Sequence, residues 1–188
     1  MKNVLDAGID VKILMKTKYA LDAKPICLVK GKLGVSFKLK YLVSFLILLT
    51  TDLIVKYVLN TSNIDSITLI PFFLDFYLTK NTGIALSLFS SSGTFTQIFL
   101  TLTIFIALMF LVYTFYTTED KIQKIGLTLV LSGGFGNFLE RLFLGSVTDY
   151  LHLRIGTNSL FVFNLADFFI TLGAIIIVLV WLRDGRSV

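Results

Sequence analysis

The stretch 162-VFNLADFFITLGAIIIVLVWL-182 is apolar enough to lie in a lipid bilayer. At about 1.5 Å of rise per residue, a helix of this length crosses roughly 30 Å of hydrocarbon. Its single charge, Asp167, stands in the first turn close behind Asn164. A carboxylate in such a run costs roughly 3 kcal/mol near the bilayer centre and less toward the interface, so something must compensate for it or use it.

The rest of the chain is of the same character: its 188 residues are 55% hydrophobic, include 18 Phe and are only 15% charged, which excludes an ordinary soluble domain. Four apolar runs of spanning length fall at about 41–59, 95–116, 125–143 and 163–182. The first contains Asp52 and Lys56, the third Asn137, Glu140 and Arg141; the second is free of charge.

Basic residues near span ends are retained in the cytoplasm. Nine Lys precede residue 41, Lys121 and Lys124 lie between the second and third runs, and Arg183 and Arg186 follow the fourth. Four crossings put these thirteen of seventeen basic residues on one side. Both termini are therefore expected in the cytoplasm and the loops of residues 60–94 and 144–162 outside. The net charge of +5 is then a topology signal, with no nucleic-acid partner implied.

Residues 1–40 form a basic cytoplasmic extension, either a surface-lying helix or a segment without fixed structure, and residues 41–188 the membrane domain. No small-residue cleavage site follows the first apolar run, so the start does not read as a removable signal peptide, and Met15 is an alternative start. Cys27 is the one cysteine, which excludes an intramolecular disulfide and a thiolate zinc cluster. The outer loops hold strand-like pieces, "SITLIPFFLDFYLTKNTG" and two segments flanking Gly156 to Ser159, which can form a small sheet over the bundle mouth. His152 reads as a loop residue without partners for catalysis.

The polar residues cluster in depth. Asp52 and Lys56 are four apart and share a helix face, as do Asn137 and Arg141. The chain leaves the bilayer after Leu144 and re-enters near Phe163, which returns Asp167 to the membrane face of Asp149. Two carboxylates held together share a proton, one serving as base and the other as acid. Such a pair can activate water against an amide and protonate the leaving amine. No Gly-x-Ser-x-Gly elbow, Walker loop or HExxH is present. Singly, each residue has a plainer role: Asp167 as a helix-start charge, Asp149 as a solvated loop residue, the Asp52–Lys56 and Asn137–Arg141 sets as glue between helices, and Gly133, Gly134 and Gly136 as close-approach points.

In order, "TDLIVK", "KNTGIAL", "GGFGNFLERLFLGSVTDY" and "FNLAD" resemble the signature boxes of lipoprotein signal peptidase, the type II signal peptidase of bacteria, over about residues 41–182. The resemblance implies an all-α integral membrane protein of four transmembrane helices with a small extracytoplasmic β-cradle and a short surface helix. It puts the catalytic aspartates on Asp149 and Asp167. Asp52, Lys56, Asn81, Gly83, Asn137, Arg141 and Asn164 fall on positions that shape the site and position substrate. It implies no metal and no organic cofactor, and cleavage on the amino side of the diacylglyceryl cysteine of prolipoproteins. The expected partners are these lipidated substrates, membrane lipids and globomycin-type inhibitors, with the chain acting as a monomer in the bacterial inner membrane and its site at the extracytoplasmic face. Glu140 departs from the family's usual Asp, and Leu86 from its usual aromatic.

Other classes stay open on the residues alone. Buried charges also mark ion or proton pathways, although these gather at one membrane face. A presenilin-like Gly-x-Gly-Asp box is approached by "GFGN", with Asn137 where the Asp would stand. A non-catalytic scaffold is the third.

Overall fold

A computed structural model describes residues 24–62, 66–83 and 94–185, with side chains from residue 39 in the first helix and from residue 97 in the second. In chain order the elements are α1 (Lys24–Thr61), β1 (Ser66–Ile70), β2 (Leu74–Asn81), α2 (Thr94–Thr117), α3 (Lys121–Leu144), β3 (Val147–Ile155), β4 (Asn158–Phe163) and α4 (Leu165–Asp184). The chain divides into two compact units, Met1–Lys40 and Tyr41–Val188, and the second holds the sheet and the apolar helices.

In hydrocarbon every backbone N–H and C=O must find a partner within the protein, which favours helices for the apolar runs. Leu39–Thr61, Gln97–Thr117 and Leu165–Asp184 are each long and apolar enough to cross a membrane. Threonines inside them turn their hydroxyls back onto the preceding turn, as Thr51 does to the Ile47 carbonyl at 2.8 Å and Thr103 to Phe99 at 2.8 Å, so these hydroxyls do not face lipid unpartnered. Large apolar side chains point outward instead: Phe110 is 65% exposed and Trp181 71%. Such a continuous apolar exterior is that of a protein bathed in lipid.

α3 is equally long but carries its polar residues on an inward face, where Ser132, Glu140 and Arg141 are buried. Asp120 caps its start by accepting from the Gln123 N–H at 2.7 Å, and Gly145, at φ +70°, ends it in the left-handed conformation. Arg183 at the end of α4 reaches Asp120 at 2.7 Å, and the Tyr41 hydroxyl donates to the Lys121 carbonyl at 3.4 Å. Residue 41 of α1, residues 120–121 at the start of α3 and residue 183 near the end of α4 therefore lie together.

At the other end the sheet runs β1-β2-β3-β4, antiparallel throughout, with Thr79 opposite Asp149 and Leu151 opposite Phe163. Gly156, at φ +62°, makes the β3–β4 turn the sequence signalled. The strands were therefore legible. α1 runs from Lys24 to Thr61. One expectation is corrected. His152 is a strand residue with partners: its Nε2 is 2.7 Å from Ser159 Oγ and its Nδ1 3.6 Å from Asp75. No short surface helix occurs among the described residues. Residues 1–23, with Met15, and residues 84–93, with Leu86, lie outside them, as does the Cys27 side chain.

α3 and α4 touch backbone to backbone. A Cβ on Gly126 would come within 2.9 Å of the Gly173 carbonyl oxygen, and one on Gly133 would collide with the Ala166 carbonyl. Neither obstacle is a flexible side-chain end. At Gly134 the obstacle is only a methyl of Leu108. We expect Gly133→Ala to lower stability by about 1–3 kcal/mol, as overpacking does, and Gly134→Ala to cost markedly less; thermal unfolding of the two variants in detergent micelles measures the contrast.

Candidate active site

The site begins with a buried ion pair. Asp52, fully buried, and Lys56, 2% exposed, lie one turn apart on α1 with Lys56 Nζ 3.0 Å from Asp52 Oδ2. The absence of a side chain on Gly136 admits Asp52 against α3, because a Cβ there would lie 2.5 Å from Asp52 Oδ2. Asp52 Oδ1 accepts from the Ala166 N–H at 3.0 Å, one of the amides in the first turn of α4 that the helix itself cannot satisfy. Lys56 spends its remaining donors on Asn137 Oδ1 at 2.6 Å and Glu140 at 3.4 Å. A buried ammonium is tolerable only with such company.

Asn137 passes the arrangement on. Its amide donates to Asp167 Oδ1 at 2.8 Å. Asp167 is also the third helical residue of α4 and makes a reciprocal capping box with Asn164: its N–H donates to Asn164 Oδ1 at 3.0 Å, and its Oδ2 accepts from the Asn164 N–H at 3.2 Å. The plain helix-start reading of Asp167 is thus correct, and it leaves Asp167 facing the same cavity as Asp149.

Asn164 joins the two carboxylates. While its oxygen caps α4, its amide donates to Asp149 Oδ1 at 2.6 Å. The second oxygen of Asp149 accepts from Asn81 at 3.0 Å, and Asn81 is itself fixed by the Gly83 N–H donating to its Oδ1 at 2.9 Å. Arg141 donates to the Gly83 carbonyl. All seven positions singled out from the sequence besides the two aspartates therefore belong to one network, although Asp52 acts at its far side.

Asp149 and Asp167 both line a cleft of about 600 Å³ whose walls include Asn81, Gly83, Asn137 and Arg141, with Phe163 and Ile170 as apolar surface. Burial pushes the Asp149 carboxyl up to about 6, the hydrogen bonds from Asn81 and Asn164 oppose this, and the neighbouring Asp167 charge adds to it. Tyr150, pushed up to about 12 chiefly by burial, keeps its hydroxyl neutral and accepts the Leu165 N–H at 3.1 Å, a second peg for the start of α4.

Several contributors were not visible in the sequence. Glu140 accepts from the Thr148 N–H at 2.9 Å and from its hydroxyl, which locks β3 to α3 just before Asp149. Lys80 donates to Thr148 at 2.7 Å and to Asn60 at 2.6 Å. Thr148 and Asn60 sit beside the recognisable residues without any spacing signal of their own.

Lys56→Met would leave Asp52 buried without its cation, and Glu140 with only the 3.9 Å approach of Lys80. We expect a loss of about 3–5 kcal/mol, as when one partner of a buried pair is removed, read as a lowered unfolding temperature in detergent, whereas Lys80→Met, with its ammonium half exposed, should change it little.

The model of the family described as signal peptidase (SPase) II matches residues 44–183. A lipoprotein signal peptidase of Bartonella bacilliformis is 37% identical over 154 residues, covering 77% of this chain and 91% of that protein. The lipoprotein signal peptidase of Francisella tularensis subsp. novicida is 36% identical over 146 residues, covering 75% and 90%. A bacterial membrane enzyme solved by the in meso method at 2.3 Å resolution superimposes with a TM-score of 0.69 at 27% identity, over 79% of this chain and 90% of that one. With its multi-pass apolar helices and the match over most of its length, the chain belongs to the signal peptidase II family of membrane proteases.

Proposed function

We propose that this protein removes the signal peptide from diacylglyceryl-modified bacterial prolipoproteins as an aspartic endopeptidase, cutting on the amino side of the lipidated cysteine with Asp149 and Asp167 as its acid and base. The observation that carries the reading is Asn164, which hydrogen-bonds to both aspartates across one cleft. Family membership supplies the prolipoprotein substrate.

The surroundings divide the roles. Asp167 accepts from the Asn137 amide, and the Asn137 oxygen accepts from Lys56, which holds Asp167 in place as the base. Asp149 holds the proton. Asp167 takes a proton from a water lodged between the carboxylates, and the water oxygen adds to the scissile carbonyl carbon. Asp149 passes its proton to the amide nitrogen, the C–N bond breaks as the tetrahedral oxyanion collapses, and the proton on Asp167 restores the shared state. Arg141, buried at the cleft wall, supplies the positive charge nearest the developing oxyanion.

Four crossings place this chemistry at the extracytoplasmic face of the inner membrane, with both termini in the cytoplasm. Three apolar helices, a fourth of equal length, and the gathering of Tyr41, Lys121 and Arg183 at the end opposite the sheet support that topology. Residues 41–188 are then the peptidase domain and residues 1–40 a cytoplasmic extension; the enzyme acts as a monomer, without metal or organic cofactor, and is blocked by globomycin-type inhibitors. Ion or proton transport is disfavoured because the buried charges collect at one end of the helices.

Asp149→Asn and Asp167→Asn should each abolish processing of a lipidated precursor in proteoliposomes, with the proteins folded and inserted; processing by the double variant would overturn the reading. The pH dependence has a definite sign. The raised Asp149 value keeps the acid protonated up to about pH 6 and depletes it above, so kcat/KM should decline on the alkaline side with an apparent pKa near 6 belonging to the pair. A steady-state profile in detergent micelles measures it.

A further inference from the structure

A second hollow opens beside the cleft, between α2 and α3. It has a volume of about 410 Å³, within the ~300–1,000 Å³ typical of small-molecule sites. Its walls are apolar: Ile98, Leu102 and Phe105, on one face of α2, meet Phe138 and Leu142 of α3. Phe105 and Phe138 close its floor with ring centroids 5.8 Å apart.

Three polar side chains interrupt this lining; the Thr101 hydroxyl donates to the Gln97 carbonyl at 2.8 Å, and the other two each leave a group unsatisfied. Arg141 Nε and Gln97 Oε1 are buried without a hydrogen-bond partner among the described residues. The rest of each side chain is committed, Arg141 to the Gly83 carbonyl and the Gln97 amide to the Thr82 carbonyl, so neither group can turn away. A buried donor and a buried acceptor left open cost free energy that a ligand would recover. One is an N–H and the other a carbonyl oxygen, at the mouth of an apolar groove.

Arg141 lines both the groove and the cleft that holds Asp149 and Asp167. Whatever enters the groove is thus one side chain away from the scissile bond. In a substrate cut beside an S-diacylglyceryl cysteine, the acyl esters lie a few bonds from that same peptide bond. The groove is mostly apolar and shares Arg141 with the cleft.

We propose that the α2–α3 groove is the seat of one acyl chain of the lipidated substrate, its ester carbonyl accepting from Arg141 Nε and the main-chain N–H of the residue after the lipidated one donating to Gln97 Oε1. This assignment rests on the peptidase reading of the cleft and adds to it a residue set for chain recognition. Gln97 and Arg141 are binding and positioning residues here, and Phe105 with Phe138 sets the depth available to the chain.

The test uses the full-length protein in proteoliposomes with two lipopeptides of one sequence, carrying dipalmitoyl or dibutyroyl glycerol, and a dipalmitoyl analogue with a diazirine at mid-chain. We expect the wild type to favour the long-chain substrate in kcat/KM by about tenfold or more, mainly through KM, and Leu102→Trp, which fills the groove, to collapse that ratio toward one. The mid-chain probe should crosslink within residues 98–105 and 138–142, and unlabelled lipopeptide should compete while excess phosphatidylglycerol should not. An unchanged long-to-short ratio in Leu102→Trp, crosslinks elsewhere in the chain, displacement by phosphatidylglycerol, or the absence of any crosslink would each overturn the proposal. Crosslinking is read on unaltered protein, so a misfolded variant does not decide the matter. Failure of the wild type to cut either lipopeptide would instead remove the peptidase reading itself.

Discussion

The structure hangs on a buried ammonium. Lys56 lies in the interior of an apolar bundle, where a lone cation would be driven to lose its proton or to reach water. Here it is held by Asp52, Asn137 and Glu140, one neighbour from its own helix and two from α3. Since Asp52 also receives an amide from the first turn of α4, a single charged cluster fixes the relative depth of three helices. Depth is otherwise weakly specified in a membrane, because lipid is as apolar as the helix surfaces and helices can slide along one another without a large hydrophobic cost.

The cluster works with, and depends on, the close backbone contact of α3 and α4. Glycines at 126, 133 and 173 bring those axes together, and Gly136 leaves room for Asp52. A wider spacing would separate Asn137 from Asp167 by more than a hydrogen bond. The sheet supplies the remaining coordinate: β3 is locked to α3 through Glu140 and Thr148, so Asp149 enters the cleft from a strand while Asp167 enters from a helix.

Much of this was written locally. The i, i+4 spacing of Asp52 and Lys56, the Asn164–Asp167 start signal, the turn at Gly156 and the apolar runs all express short-range rules, and each appears in the structure where those rules put it. What escaped depends on long-range juxtaposition. Glu140 meets Thr148 only because Gly145 reverses the chain, and Gln97 meets Thr82 from 15 residues away; no period or spacing announces either. His152 was misjudged for a related reason, since its partners Asp75 and Ser159 come from the neighbouring strands.

Asn164 also limits how such a sequence can change over time. Its side-chain oxygen, its amide and its backbone N–H all have partners, and every one of those partners belongs to one of the two aspartates. Aspartate in its place would keep the cap and set a third negative charge against Asp149, while leucine would keep the size and forfeit both bonds. No single substitution conserves every contact, so residues 149, 164 and 167 form one heritable unit, and divergence is channelled to the lipid-facing side chains, where one apolar residue is nearly as good as another.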